Sequence, residues 1–110
     1  NYIWVTTQFE GFHKYPDAPE DVKFLRDLHR HIFKVKIWIE VKHNDRDIEF
    51  ILFKRYVENH IDLASLNNMS CEDIADYILA RLRENMTYRC RKVKIEVSED
   101  GENGCEKEYE

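Results

Sequence analysis

Three histidines, His13, His29 and His31, sit at the ends of runs that alternate apolar and polar residues, and imidazoles gathered in that way can bind a metal. Residues two apart in an extended chain point to the same face. From His29 and His31 the same-parity positions continue as Phe33, Val35, Ile37, Ile39 and Val41, while Arg30, Lys34, Lys36, Glu40 and Lys42 take the other face. Both imidazoles are therefore expected on the apolar side. His13 closes a similar run, Ile3, Val5, Thr7, Phe9 and Gly11, so an adjacent antiparallel strand would bring a third imidazole to the same place. Three neutral imidazoles in a water-poor pocket make a zinc site with an open fourth position, the catalytic pattern. An inward histidine is also met as a hydrogen-bonded core residue, and the spacing by itself leaves both readings open.

The elements that must position these groups follow from periodicity. Tyr2 to His13 reads as a long strand, rich in β-branched and aromatic residues and free of proline. Pro16 and Pro19, with Asp17, Glu20 and Asp21, make the next stretch a turn-rich loop, with a short helical turn expected over 22–28. His29 to Val41 is a second strand, and Lys42-His43-Asn44-Asp45-Arg46 supplies turn chemistry after it. Phe50, Phe53, Val57 and Ile61 recur at helical spacing, which predicts a helix from Phe50 to about His60. Asp62 to Met69 reads as a loop. Ser70 suits an N-cap, Glu72 and Asp73 a first turn, and Arg81 and Arg83 a last turn, with Ile74, Ile78, Leu79, Leu82 and Met86 as the core stripe. Lys92 to Ser98 alternates again as a strand, and a further strand is expected near Tyr109.

Strand, strand, helix, helix, strand suits an α+β domain: an antiparallel sheet with two helices on one face. A length of 110 residues bounds a single domain over 1–110. With 43% hydrophobic and 35% charged residues, three glycines and two prolines, a disordered or collagen-like chain is excluded. Open sheet edges lead us to expect a homo-oligomer. Cys71, Cys90 and Cys105 are odd in number and widely spaced, which argues against a disulfide framework or a four-thiolate zinc module. The net charge of −5, much of it in the tail after Val97, does not suit a nucleic-acid partner. No apolar run reaches the length of a membrane span, and Asn1-Tyr2-Ile3-Trp4-Val5 lacks the flanks of a signal peptide, so a cytoplasmic setting without a membrane partner is expected.

Several segments together resemble one family. Phe9-Glu10-Gly11-Phe12-His13, then a proline-containing loop and Leu28-His29-Arg30-His31-Ile32-Phe33, resembles the first zinc histidine and the His-Gly-His pair of the 6-pyruvoyltetrahydropterin synthase and 6-carboxytetrahydropterin synthase family, which are tunnelling-fold proteins. Ile48-Glu49-Phe50-Ile51-Leu52-Phe53-Lys54 is similar to that family's entry into its first helix. Ile61-Asp62-Leu63-Ala64-Ser65-Leu66-Asn67 is similar to its Leu-Asp-His-x-x-Leu-Asn loop, and Ser70-Cys71-Glu72-Asp73-Ile74-Ala75 to its Thr-x-Glu-x-x-Ala helix start. The resemblance implies subunits joined by sheet edges into an oligomeric barrel, trimers or hexamers, with sites at the subunit interfaces. It makes His13, His29 and His31 zinc ligands. It makes a glutamate after the last long strand the anchor for the amino-pyrimidinone edge of a pterin- or purine-like ligand, since a carboxylate accepts two parallel hydrogen bonds. Glu99 keeps the parity of Ile95 and Val97 and is the first choice; Glu96 is the alternative. Ser70 and Glu72, in the matching helix start, join Glu99 as ligand-binding candidates.

The departures fall on catalysis. Phe24, Leu25 and Arg26 occupy the positions where the family carries a cysteine, and Leu63 follows Asp62 where it carries a histidine. The glycine of the histidine pair is Arg30, a cation expected on the opposite strand face, toward a phosphate or another subunit. Both halves of the usual proton relay are thus missing, and a placed proton carrier typically contributes about 10²- to 10⁴-fold to rate. Asp62 is the catalytic candidate, with Asp27, His60 and Cys71 as other substitutes. Cys71 lies at a helix start, where a thiol pKa can fall, or it is a small buried filler. Two functions follow: a protein that binds or sequesters a pterin- or purine-like molecule, a nucleotide included, or an active zinc-dependent lyase acting on 7,8-dihydroneopterin triphosphate or a related pterin. A purely structural role is a third.

Overall fold

The computed structural model describes residues 1–62 and 68–110. Four strands, β1 (Tyr2–His13), β2 (His29–Glu40), β3 (Val93–Glu99) and β4 (Asn103–Tyr109), form one antiparallel sheet in the order β1-β2-β3-β4. A short 3-10 segment, Glu20–Arg26, lies in the β1–β2 connection, and two helices, α1 (Phe50–His60) and α2 (Cys71–Arg83), come between β2 and β3. The α+β class is as the periodicity predicts.

Strict alternation decides which side of the sheet is covered. Val5 of β1, Phe33, Val35, Ile37 and Ile39 of β2, and Val93, Ile95 and Val97 of β3 are buried together with Phe53 and Val57 of α1 and Ile74, Ile78 and Leu82 of α2. One core thus joins the odd-numbered strand positions to both helices. The even-numbered side carries charge and exposed aromatics instead: Lys36 Nζ sits 4.2 Å from the ring centre of Trp4 and 4.7 Å from that of Trp38. These cation–π contacts shield apolar rings on a face the helices leave uncovered.

The helices start where their caps dictate. Ser70 Oγ accepts from the backbone N–H of Asp73 at 3.1 Å, and a Glu49 carboxylate oxygen accepts from that of Leu52 at 2.8 Å, each satisfying an otherwise orphaned donor. Two expectations fail at helix ends. α2 stops at Arg83, so Met86 lies beyond the stripe and is 84% exposed; Phe50 is the first residue of α1, before the apolar face has turned inward, and is 55% exposed. The short helical segment begins at Glu20, earlier than expected, because Pro19 sets the extended backbone just before it.

β4 is tied to α2 through Asp76, whose carboxylate accepts from Tyr109 at 2.7 Å and pairs with Lys107 at 2.8 Å. A second tie joins the segment after β2 to that before β3. Arg91 Nη1 donates to Asp47 at 2.6 Å and to the Glu40 carbonyl at 3.0 Å. Among the described residues, no helix is long and apolar enough to cross a membrane.

Candidate metal centre

Strand register assembles the histidines. His13 pairs directly with His29 at the end of the β1–β2 ladder, and Gly11 pairs with His31, which places His31 diagonal to His13 on the same face. Directly opposed and diagonal side chains are the ones that touch across an antiparallel pair. The ring centres of His13 and His29 are 4.5 Å apart, those of His29 and His31 4.9 Å, and those of His13 and His31 5.2 Å. The opposed position holds Gly11, so no side chain from β1 stands over His31. Phe33 closes the inner side, its ring 5.2 Å from that of His13. His13 is buried, whereas His29 and His31 are half-buried, so the site lies at the rim of the core, not within it.

β3 supplies a fourth group. Glu99 is the last residue of β3 and pairs with Phe33, which directs its carboxylate along the inner face toward the histidines. Glu99 Oε2 lies 3.1 Å from His13 Nε2 and 2.8 Å from His31 Nε2. His13, His29, His31 and Glu99 each offer a ligand atom, all within 4.8 Å of one another. This set could hold a metal ion.

The other ring nitrogen of every histidine is occupied. Nδ1 of His13 meets the Met69 carbonyl at 2.8 Å, Nδ1 of His29 the Asp27 carbonyl at 2.8 Å, and Nδ1 of His31 the Asp100 carboxylate at 2.8 Å. Carbonyl and carboxylate oxygens only accept, so each ring in its neutral form carries its proton on Nδ1 and presents Nε2 as the lone pair. Outer-shell acceptors that fix the tautomer in this way are the usual companions of metal-binding histidines. The fit is reinforced at His31: its Nε2 is buried and makes no hydrogen bond, although the Glu99 oxygen is close. Two electron-rich atoms held so near each other need a proton or a cation between them.

A turn of unusual backbone locks this corner. Asp100 and Gly101 have positive φ, 58° and 74°, and form the β3–β4 turn. Asp100 N–H donates to the Ile32 carbonyl at 2.7 Å, and Asp100 Oδ1 accepts from Ile32 N–H at 2.8 Å, so the turn is held beside His31. The hydrogen bond from His31, then that from Ile32, holds the Asp100 carboxyl below its ordinary range.

A cavity of about 560 Å³ adjoins the centre, lined by His13, His29 and Glu99 and also by Tyr15, Ser70 and Glu72. Ser70 and Glu72 thus face the same space as Glu99, with the Ser70 hydroxyl engaged as the α2 cap. Cys71 lines that space too, but its thiol is buried and pushed up to about 12, first by burial and then by the negative charge of Glu99. Of the two readings the sequence leaves open for Cys71, burial and the raised thiol favour the small buried filler. Asp62 lies elsewhere, beside a separate hollow with His60, Tyr77 and Arg81. Leu63 and the rest of the segment 63–67 lie outside the described residues. Asp27 contributes its carbonyl, not its carboxylate. Arg30 does take the opposite face, where it pairs with Glu10 at 3.3 Å. Glu96 points into a larger hollow of about 1020 Å³ with Lys34 and Lys36, away from the histidines.

The sequence reading gives Glu99 a different role and does not name Asp100 for the site. Glu99 is read there as a ring anchor, not as a metal-facing group, though its register against Phe33 follows from the same parity. Asp100 carries no pattern signal, because its role arises from a turn with positive φ. No protein-family model matches the chain, and no curated protein matches it.

Proposed function

We propose that this chain is a zinc-binding protein related to the pterin synthases, which holds a pterin- or purine-like ring in the cavity beside the metal and binds it without the usual turnover. The observation that carries the reading is the commitment of all three Nδ1 atoms to acceptors, which leaves Nε2 of each neutral ring as its ligand atom, in a group whose ligand atoms lie within 4.8 Å of one another. A zinc ion held there polarises a hydroxyl or carbonyl group of its ligand. His13, His29 and His31 hold the ion, Ser70 and Glu72 line the ligand's space, and Glu99 is within reach of both. Among the described residues, the groups facing this cavity include no activated thiol, since Cys71 is held protonated, and this supports binding over catalysis. Assembly through the free edges of β1 and β4 into a trimer or hexamer is part of the same proposal, the two strands being the outer ones of the sheet.

A second reading, an active zinc-dependent lyase, is favoured by the trihistidine set with its adjoining cavity, an arrangement suited to catalysis. Incubating the zinc-loaded protein with 7,8-dihydroneopterin triphosphate, followed by mass spectrometry, separates the two. Retained pterin without released triphosphate is the expected result. Zinc-dependent triphosphate release would replace the binding reading with the enzyme, and neither retention nor release would remove the pterin from the account.

A further inference from the structure

We infer that Glu99 is the fourth donor of the metal centre, closing it in the resting state as a three-histidine, one-carboxylate set that an incoming ligand must displace. The inference rests on the metal reading above and deepens it, because a trihistidine site with an open position and one closed by a protein carboxylate respond differently to anions.

Position is the first ground. Glu99 Oε2 lies near two Nε2 atoms at once, 3.1 Å from His13 and 2.8 Å from His31. A tetrahedral zinc with ligands at 2.0–2.1 Å has neighbouring donor atoms about 3.3 Å apart, so a shift of about half an ångström or less brings the carboxylate oxygen to a ligand's spacing from both nitrogens. Hydrogen bonding is the second. His31 Nε2 makes none, and the Nδ1 of His13 already meets the Met69 carbonyl, so a neutral His13 ring has no second proton for the Glu99 oxygen 3.1 Å from its Nε2. A metal ion satisfies the two nitrogens and the oxygen together; a hydrogen-bond network of neutral imidazoles does not.

Rigidity is the third ground. Glu99 ends β3 immediately before the Asp100-Gly101 turn, and that turn is fastened to Ile32 by two hydrogen bonds, at 2.7 and 2.8 Å. The base of the Glu99 side chain is thereby fixed against the strand that bears His29 and His31. Its carboxylate also borders the adjoining cavity, so a ligand entering there meets the same oxygen that closes the metal. Displacement by a competing donor is then the natural way to open the fourth position.

Cobalt(II) replaces zinc in such sites and reports coordination through its visible spectrum. The test compares the cobalt-loaded wild-type protein with Glu99→Gln, titrating each with azide, and measures zinc affinity by chelator competition. The expected result is a four-coordinate spectrum in wild type that azide leaves unchanged at concentrations shifting the variant, and a zinc affinity about tenfold or more lower in the variant. Identical spectra, azide responses and zinc affinities would overturn the role of Glu99. Glu99→Asp, which keeps the charge and withdraws the oxygen by one methylene, provides a second variant should Gln disturb the fold as read by circular dichroism; it too should open to azide. His31→Ala separates the two levels: metal retained in His31→Ala overturns the centre itself, whereas metal lost there with Glu99→Gln unchanged overturns the closing carboxylate alone.

Discussion

Glu99 and Asp100, adjacent in sequence, grip opposite nitrogens of His31, with Glu99 Oε2 2.8 Å from Nε2 and Asp100 Oδ2 2.8 Å from Nδ1. One carboxylate faces the point where a metal would sit, and the other sets the tautomer that makes metal binding possible. Successive strand residues ordinarily point to opposite faces. Here the positive φ of Asp100 turns its side chain back to the face Glu99 already occupies.

Asp100→Asn tests the orienting role. Asparagine tolerates the left-handed backbone, so the turn is retained, but its single oxygen cannot serve both Ile32 N–H and His31 Nδ1–H. Zinc affinity should fall about 10- to 100-fold with the far-UV spectrum unchanged, as is usual for loss of an outer-shell partner. Undiminished affinity by chelator competition would show that His31 needs no help from Asp100.

Gly104 is a position where backbone approaches too closely for a side chain. A Cβ there would stand 2.0 Å from the Val97 carbonyl oxygen, inside van der Waals contact with backbone that cannot swing aside. Gly104→Ala should push β4 off β3 beside the metal cavity and cost about 1–3 kcal/mol in denaturant unfolding. A midpoint equal to wild type would mean that β4 relaxes freely.

Asp47 gives a pH dependence. The hydrogen bond from Arg91, then that from the Lys42 N–H, lowers its carboxyl from the ordinary 3.8 to about 2. Because the folded value lies below the ordinary one, ionised Asp47 stabilises the fold above pH 3.8, and this contribution is lost as the pH falls toward about 2. Asp47→Asn should lower stability at neutral pH and flatten the acid unfolding curve between about pH 4 and pH 2. An acid limb as steep as that of wild type would remove Asp47 as its source.

The thiols should separate by accessibility. Cys90 is exposed, whereas Cys71 is buried with its pKa pushed up to about 12. Iodoacetamide at pH 8 on the native protein should label Cys90 first and Cys71 last, read by peptide mass spectrometry. Early labelling of Cys71 would reopen it as a reactive group.

What the sequence could carry follows the reach of each signal. The period of two places His13, His29 and His31 on the face of Val5, Phe33 and Val35, and their meeting needs only that β1 pair with β2 in the register Gly11 to His31. Helix positions follow from the caps and apolar spacing, with errors at the ends, where Met86 and Phe50 keep the period after or before the helix can bury them. Asp100 and the Met69 carbonyl could not be read at all. Their contacts with the centre cross 69 and 56 positions of sequence and depend on a turn and a loop that no periodicity describes.

The central claim is the metal centre, and zinc content tests it most directly. Wild type, His29→Ala and His31→Ala, each dialysed against zinc and then buffer, should be compared by elemental analysis, with circular dichroism confirming that the fold persists. The account predicts stoichiometric zinc in wild type and loss of it in both folded variants; zinc retained in either variant, or absent from wild type, would contradict it.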